Sequence, residues 1–424
     1  MAAPTRGFVT HRSRLELAGC RRRMSRATRA AFTTPTGRAQ LAAAVAAILV
    51  AALLLTSCSG APVVPPTSST SPALSTAPAT PVPSAITSTA PTAVPTPTPV
   101  PLVEAPTDGV LETAADAARP VVAVMIDDAP AARPQSGLAA ADILVQAPAE
   151  GGIPRYMAIY QTSPAPAIGP IRSSRLYFVG WAAQWHALYA HVGGAPNALA
   201  ALQQLNGSLV WNADEYIWAS YMPRITTRVA PHNVYSSTAQ LDALATRLAV
   251  PAAPAPGWSF VDPAPAARRP AAGALRVPYP AGVITYEYDP ATDRYLRSVD
   301  GVAQVDPVTG ARVAPFDVVV VYVTVGPLVN QPGQPTNQLK GRLELGYTGR
   351  GRALVLRDGV AVDATWSKAS DGAPLLLTQA SGVGAGTPVQ LVRGQVVIQV
   401  VPEGTAVTVA SATAPRSATS ARPR

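Results

Sequence analysis

Arg172 and Arg175 lie three residues apart in the run 169–175, at the predicted start of a helix. Residues at that spacing share helix surface. Cations at a helix N-terminus are opposed by its partial positive charge, so the pattern calls for an anion. Two sources are open. One is a protein carboxylate folded back as a salt bridge, with Glu150, Asp127 and Asp142 as candidates. The other is a bound phosphate or carboxylate held by helix N–H groups and guanidinium forks. His191 ends a predicted strand and runs into Gly193-Gly194, and ligands tend to sit beyond the carboxyl ends of strands in α/β sheets. His232 and Asn233 occupy a loop marked by Pro231. Either imidazole suits general acid–base work, and a packed, hydrogen-bonded histidine is the plain alternative for each. Asp127, Asp128, Asp142 and Glu150 offer carboxylates for a glycosidase-type pair.

The candidate catalytic residues are therefore Asp127, Glu150, His191 and His232. The candidate ligand-binding residues are Arg155, Arg172, Arg175, His191, His232 and Asn233. No metal site and no cofactor are expected: His186, His191 and His232 lack HExxH-type spacing, and there is neither a Gly-x-Ser-x-Gly elbow nor a P-loop. Trp181, Trp185, Trp211, Trp218, Tyr216 and Tyr221 read mainly as core, although exposed aromatics can stack on sugars. Trp366 and Lys368 read as strand-end packing.

Cys58 supplies the address. A basic stretch and the apolar run 41–55 precede Leu55-Thr56-Ser57-Cys58. The run is too short for a ~20-residue span and suits a secretory signal of the bacterial lipoprotein type, with the Cys58 thiol acylated, for example by palmitate. Met1 and Met24 are both possible starts. The chain holds 33 Lys and Arg against 24 Asp and Glu. Nine arginines and one glutamate fall in 1–57, which leaves 24 basic and 23 acidic residues in the mature chain. A near-neutral body removes the argument for nucleic-acid binding. Cys20 leaves with the signal and Cys58 is used by lipid, so no thiol remains for a disulfide, a nucleophile or a metal.

The elements that must position these residues follow from the patterning. After the signal peptide (1–57), residues 58–118 form a Pro/Ser/Thr/Ala-rich tether that cannot bury enough apolar surface to order itself. Residues 119–250 alternate strands and helices. Strands are predicted over 121–126, 143–146, 154–161 and 187–192. Helices are predicted from Ser173 or Ser174 toward Trp185, over 196–205, and over 238–248 capped by Ser237. A Pro/Ala-rich linker (251–274) leads to a mostly antiparallel β domain (275–410), with Asp358-Gly359 a hairpin signal and Arg393-Gly394 a weaker one. A polar, disordered tail (411–424) ends the chain. The fold class is α+β: a mixed α/β N-terminal domain followed by a mostly antiparallel β domain.

These runs resemble the YerB-like lipoproteins, the family of the DUF3048 domain. The likeness lies in Arg119-Pro120, Met125-Ile126-Asp127, 132–138, Ala141-Asp142-Ile143, Glu150-Gly151-Gly152-Ile153 with Arg155, 168–175, 191–194 and 230–233. It continues in Gly349-Arg350-Gly351, Asp358-Gly359 and 365–368. Asp128 stands where that pattern has Asn, and Val229 where Lys is common. The resemblance implies a two-domain α+β lipoprotein and no assigned reaction.

The function expected is that of an uncharacterised envelope lipoprotein, extracytoplasmic and lipid-anchored to the bacterial membrane, that binds an anionic ligand or a cell-wall glycan. An envelope-polymer hydrolase or lyase using a carboxylate and a histidine, and a structural partner of another envelope protein, are the alternatives.

Overall fold

The computed structural model describes residues 100–255, 257–329 and 339–411. The signal peptide, Cys58, most of the tether and the tail from 412 lie outside the described residues. Ordered backbone starts earlier than the predicted tether end at 118. Strands β1 (Leu102–Glu104) and β2 (Leu111–Thr113) pair antiparallel, and a one-turn helix α1 (Ala114–Ala117) follows. The reason is polar: Thr107 and Asp108 are buried and hydrogen-bonded to the body through Asp142 and Thr162.

The next strands are β3 (Val122–Asp127), β4 (Ile143–Ala147) and β5 (Arg155–Tyr160). Helix α2 (Leu176–Ala183), β6 (Leu188–His191), α3 (Pro196–Leu205), β7 (Trp211–Asp214), α4 (Glu215–Trp218) and α5 (Thr238–Arg247) complete the first half. The Ser237 cap of α5 is as predicted, its hydroxyl accepting from Gln240 N–H. Helix α2 differs: Ser174 spends its hydroxyl on Tyr189, 2.9 Å away, and Arg175 takes the cap position.

The second half contributes β8 (Ser259–Val261), β9 (Gly273–Tyr279), β10 (Gly282–Asp289), β11 (Arg294–Val299), β12 (Val302–Ala303), β13 (Asp317–Val323), β14 (Val325–Pro327) and β15 (Leu343–Leu345). It ends with β16 (Gly349–Arg357), β17 (Val360–Lys368), β18 (Leu376–Gln379), β19 (Gln390–Val392), β20 (Val396–Pro402) and β21 (Thr408–Ser411). Asp358 and Gly359 both take positive φ (48° and 75°), the backbone of a two-residue hairpin turn. Arg393-Gly394 makes no hairpin, because β19 pairs with β8 while β20 joins β13.

The two halves share one ten-stranded sheet, ordered β18-β17-β16-β13-β20-β4-β5-β3-β6-β7. Strand β20 runs parallel to β13 on one side and to β4 on the other, with Val396 opposite Ile143. Residues 251–274 are thus no free linker: they hold β8, paired to β19, and the start of β9. A second, five-stranded sheet of order β12-β11-β10-β9-β21 is antiparallel.

Every residue of β3 and β13 is buried, which explains their unbroken apolar runs. One face of the large sheet packs against α2, with Trp181, against Trp185 just beyond that helix, and against α3. The other packs against α5 and the five-stranded sheet. There Arg297, fully buried, donates to Tyr286, Gln304 and Gln146, and Gln146 in turn donates to Asp128 (2.7 Å). This chain of polar bonds ties the sheets together. Trp366 and Lys368 are both buried at the end of β17, the Lys368 ammonium donating to the Asp371 and Ala373 carbonyls. Burial pushes that ammonium's pKa down to about 8.

Candidate functional site

Successive side chains on a strand point to opposite faces, and this separates the carboxylates that the sequence sets side by side. Asp127 falls on the face carrying Val121, Ala123 and Met125, and Asp128 on the other. Asp128 is wholly buried and accepts from Arg133, Gln135 and Gln146. Burial raises its pKa. Asp142 sits at the opposite end of the sheet, ahead of β4. No pair of glycosidase type forms from these three.

Asp127 closes β3, and Arg155 opens the antiparallel neighbour β5 directly across from it. Segment 170–172 lays itself along the end of β3: Arg172 N–H donates to Met125 and Asp127 N–H to Pro170. On its other side the Arg172 carbonyl accepts from Val192 N–H at the end of β6. Arg172 is thereby pinned at the carboxyl edge of two parallel strands, the edge where open α/β sheets present ligands.

Asp127 Oδ2 accepts from His232 Nδ1 at 2.9 Å. Arg172 Nε lies 2.9 Å from the same oxygen, close enough for an ion pair but not aligned as a hydrogen bond. That buried N–H has no hydrogen-bond partner among the described residues. The Arg172 and His232 side chains remain 27% and 20% exposed, against 5% for Asp127. The carboxylate is thus the floor of the group, and the Arg172 and His232 side chains are its outer surface.

Beside it stands Glu150, in the turn between β4 and β5. Arg175 grips it with two bonds, Nε to Oε1 at 2.5 Å and Nη2 to Oε2 at 2.7 Å. Arg155 Nη2 lies 3.7 Å and Arg342 Nε 3.8 Å from the same carboxylate. Arg155 also donates to the Ser173 carbonyl (2.8 Å). Burial raises the Glu150 pKa, but the Arg175 bond and charge, with Arg155, outweigh it and hold the carboxyl below its usual range. An acid so held is ionised at neutral pH and cannot serve as a proton donor there. Burial, helped by Arg175, brings Arg155 down to about 10 and also lowers Arg342.

The two sequence arginines have therefore each found a protein carboxylate, Glu150 for Arg175 and Asp127 for Arg172. Asp127, Glu150, Arg155, Arg172, Arg175 and His232 come together at one edge. His191 does not join them. It is fully buried, with Nδ1 2.8 Å from the Gly193 carbonyl and Nε2 2.7 Å from Asn212 Oδ1, and has no nitrogen left for acid–base work or a ligand. Asn233 holds its own loop, accepting from Arg224 (3.3 Å) and donating to Ile225 (3.5 Å). Arg342 is the residue that sequence reasoning missed. It comes from the far half of the chain, and no motif marks it.

Residues 107–250 match the family described as protein of unknown function (DUF3048), N-terminal domain, and residues 275–398 match its C-terminal domain. YerB of Bacillus subtilis (strain 168), described as a candidate lipoprotein, is 28% identical over 280 residues, 63% of this chain and 78% of YerB. The crystal structure of YerB protein from Bacillus subtilis superposes with a TM-score of 0.61 at 26% identity, over 73% of this chain and 100% of the crystallised one. The chain belongs to the DUF3048 family and carries both of its domains in order.

Proposed function

We propose that this protein is a membrane-anchored extracytoplasmic lipoprotein whose folded body binds an anionic group of the cell envelope at the Arg172–His232 edge. The observation that carries the reading is a charge imbalance. Four guanidiniums (Arg155, Arg172, Arg175, Arg342) are paired with only two carboxylates, Asp127 and Glu150. Cations crowded at a partly buried edge raise one another's electrostatic energy, and an anion entering between Arg172 and His232 relieves it. Arg172, whose side chain stays 27% exposed, contributes the guanidinium that such a ligand accepts from.

Calorimetric titration of the full-length chain with inorganic phosphate at low salt tests this. Saturable binding is expected, weakening as ionic strength rises. Arg172→Gln is expected to reduce affinity at least about tenfold, the worth of one charge-assisted bond. Equal affinity in the variant contradicts the assignment. The anchor rests on the order basic stretch, apolar run, Cys58, and on the likeness to YerB. Cys58→Ala is expected to move the protein from the membrane fraction to the soluble one. A variant that stays membrane-bound and lipid-modified refutes it.

A further inference from the structure

Tyr216 and Ile217 are 74% and 70% exposed, at the carboxyl end of β7 on the first turn of α4. Surface-fixed aromatics of this exposure are not core, although the aromatic cluster as a whole reads as such in the sequence. The backbone that carries the ring is held in place. Asp214 caps α4 by accepting from Tyr216 N–H (3.2 Å) and also accepts from Gly193 N–H (3.0 Å). One side of the ring rests on Gly193: a Cβ there, at φ +54°, would stand 3.1 Å from Tyr216 Cε2.

Two separate chains of contacts fasten Tyr216 beside the anion edge. In the first, Gly193 follows Val192, whose N–H donates to the Arg172 carbonyl. In the second, Glu215 takes two bonds from Arg224 (3.0 and 2.9 Å), and Arg224 donates to Asn233, the neighbour of His232. Val229, 84% exposed, accepts from His232 N–H through its carbonyl in the same loop. An exposed aromatic ring is thus tied by two short contact paths to the Arg172–His232 edge. A bare inorganic anion has no use for the ring. A sugar does, because its C–H face stacks on an aromatic while its charged substituent reaches a guanidinium.

We infer that the anionic group is carried on a sugar ring, and that Tyr216 is the platform on which that ring stacks. The inference rests on the anion-site reading above. Its test compares N-acetylglucosamine 1-phosphate with inorganic phosphate on the full-length chain, using wild type, Tyr216→Ala and Tyr216→Phe. Tyr216 is exposed, so neither variant endangers folding. The wild type is expected to bind the sugar phosphate about tenfold more tightly than phosphate. Tyr216→Ala is expected to erase that preference without changing phosphate affinity, and Tyr216→Phe to keep it. If phosphate binds but the sugar phosphate binds no better, or if Tyr216→Ala retains the preference, the stacking platform is refuted and the anion site stands. If neither compound binds the wild type, the anion site falls and the platform with it.

Discussion

Glu150→Gln is expected to lower the melting temperature by roughly 3–5 °C, from a loss of about 2–3 kcal/mol. Breaking one partner of a buried ion pair costs ~3–5 kcal/mol, and the 20% exposure of the Glu150 side chain reduces that here. The loss is large because one carboxylate serves three guanidiniums, those of Arg155, Arg175 and Arg342. Gln accepts one hydrogen bond but carries no charge, so all three cations are left uncompensated. Phosphate is then expected to restore more stability to the variant than it adds to the wild type. A control at an exposed carboxylate, Asp262→Asn against Arg393, is expected to cost under ~1 kcal/mol. The Glu150 pKa is lowered on folding, so its contribution is present above the ordinary carboxyl value of 4.5 and is lost as pH falls below it. Scanning calorimetry reads all of this. A variant melting within 1 °C of wild type would remove Glu150 from its keystone place.

A second large effect has the opposite pH sign. Asp142 accepts from Gln161 N–H (2.6 Å), Thr162 N–H (3.0 Å) and Thr107 Oγ1 (2.9 Å). Thr162 Oγ1 lies 2.8 Å from Asp142 Oδ1 and 2.9 Å from Asp108 Oδ2. That hydroxyl has one hydrogen for two carboxylates, so one of them must bring a proton of its own. Burial, then the Asp108 charge, raise the Asp142 pKa from 3.8 to about 7. The folded state therefore keeps a proton that the unfolded chain releases. Stability is complete below pH ~4, declines as pH rises toward 7, and is flat beyond. Each pKa unit is worth ~1.4 kcal/mol, which sets an upper bound of about 4 kcal/mol. Asp142→Asn places an N–H where the protonated carboxyl donates to Thr162, and it never ionises. The variant is expected to match wild type near pH 4 and to exceed it at pH 8. Parallel melting curves for the two proteins across that range would refute the shared proton.

The sequence carries the local elements well and the long-range partners poorly. Asp358-Gly359 turned where its chemistry requires, and α3 begins at Pro196 and ends at Leu205 as its pattern dictates. The need for an anion near Arg172 and Arg175 was legible because helix-end electrostatics is local. Which carboxylate answers it was not, since strand alternation sends Asp127 and Asp128 to opposite faces only once the sheet exists. Residues 102–118 look like tether by composition, and their order depends on Thr107 and Asp108 meeting Asp142 and Thr162, contacts distant in sequence. The pairing of β20 with β4, which merges the two halves, and the arrival of Arg342 at Glu150 are non-local in the same way.

The histidines give the most direct measurement. In nitrogen-15 correlation spectra of the full-length chain, phosphate titration is expected to shift the His232 ring resonances progressively and saturably. His191, sealed between Gly193 and Asn212, is expected to stay fixed as an internal reference. Unmoved His232 resonances at saturating phosphate, or equal movement of both rings, would contradict an anion site at the Arg172–His232 edge.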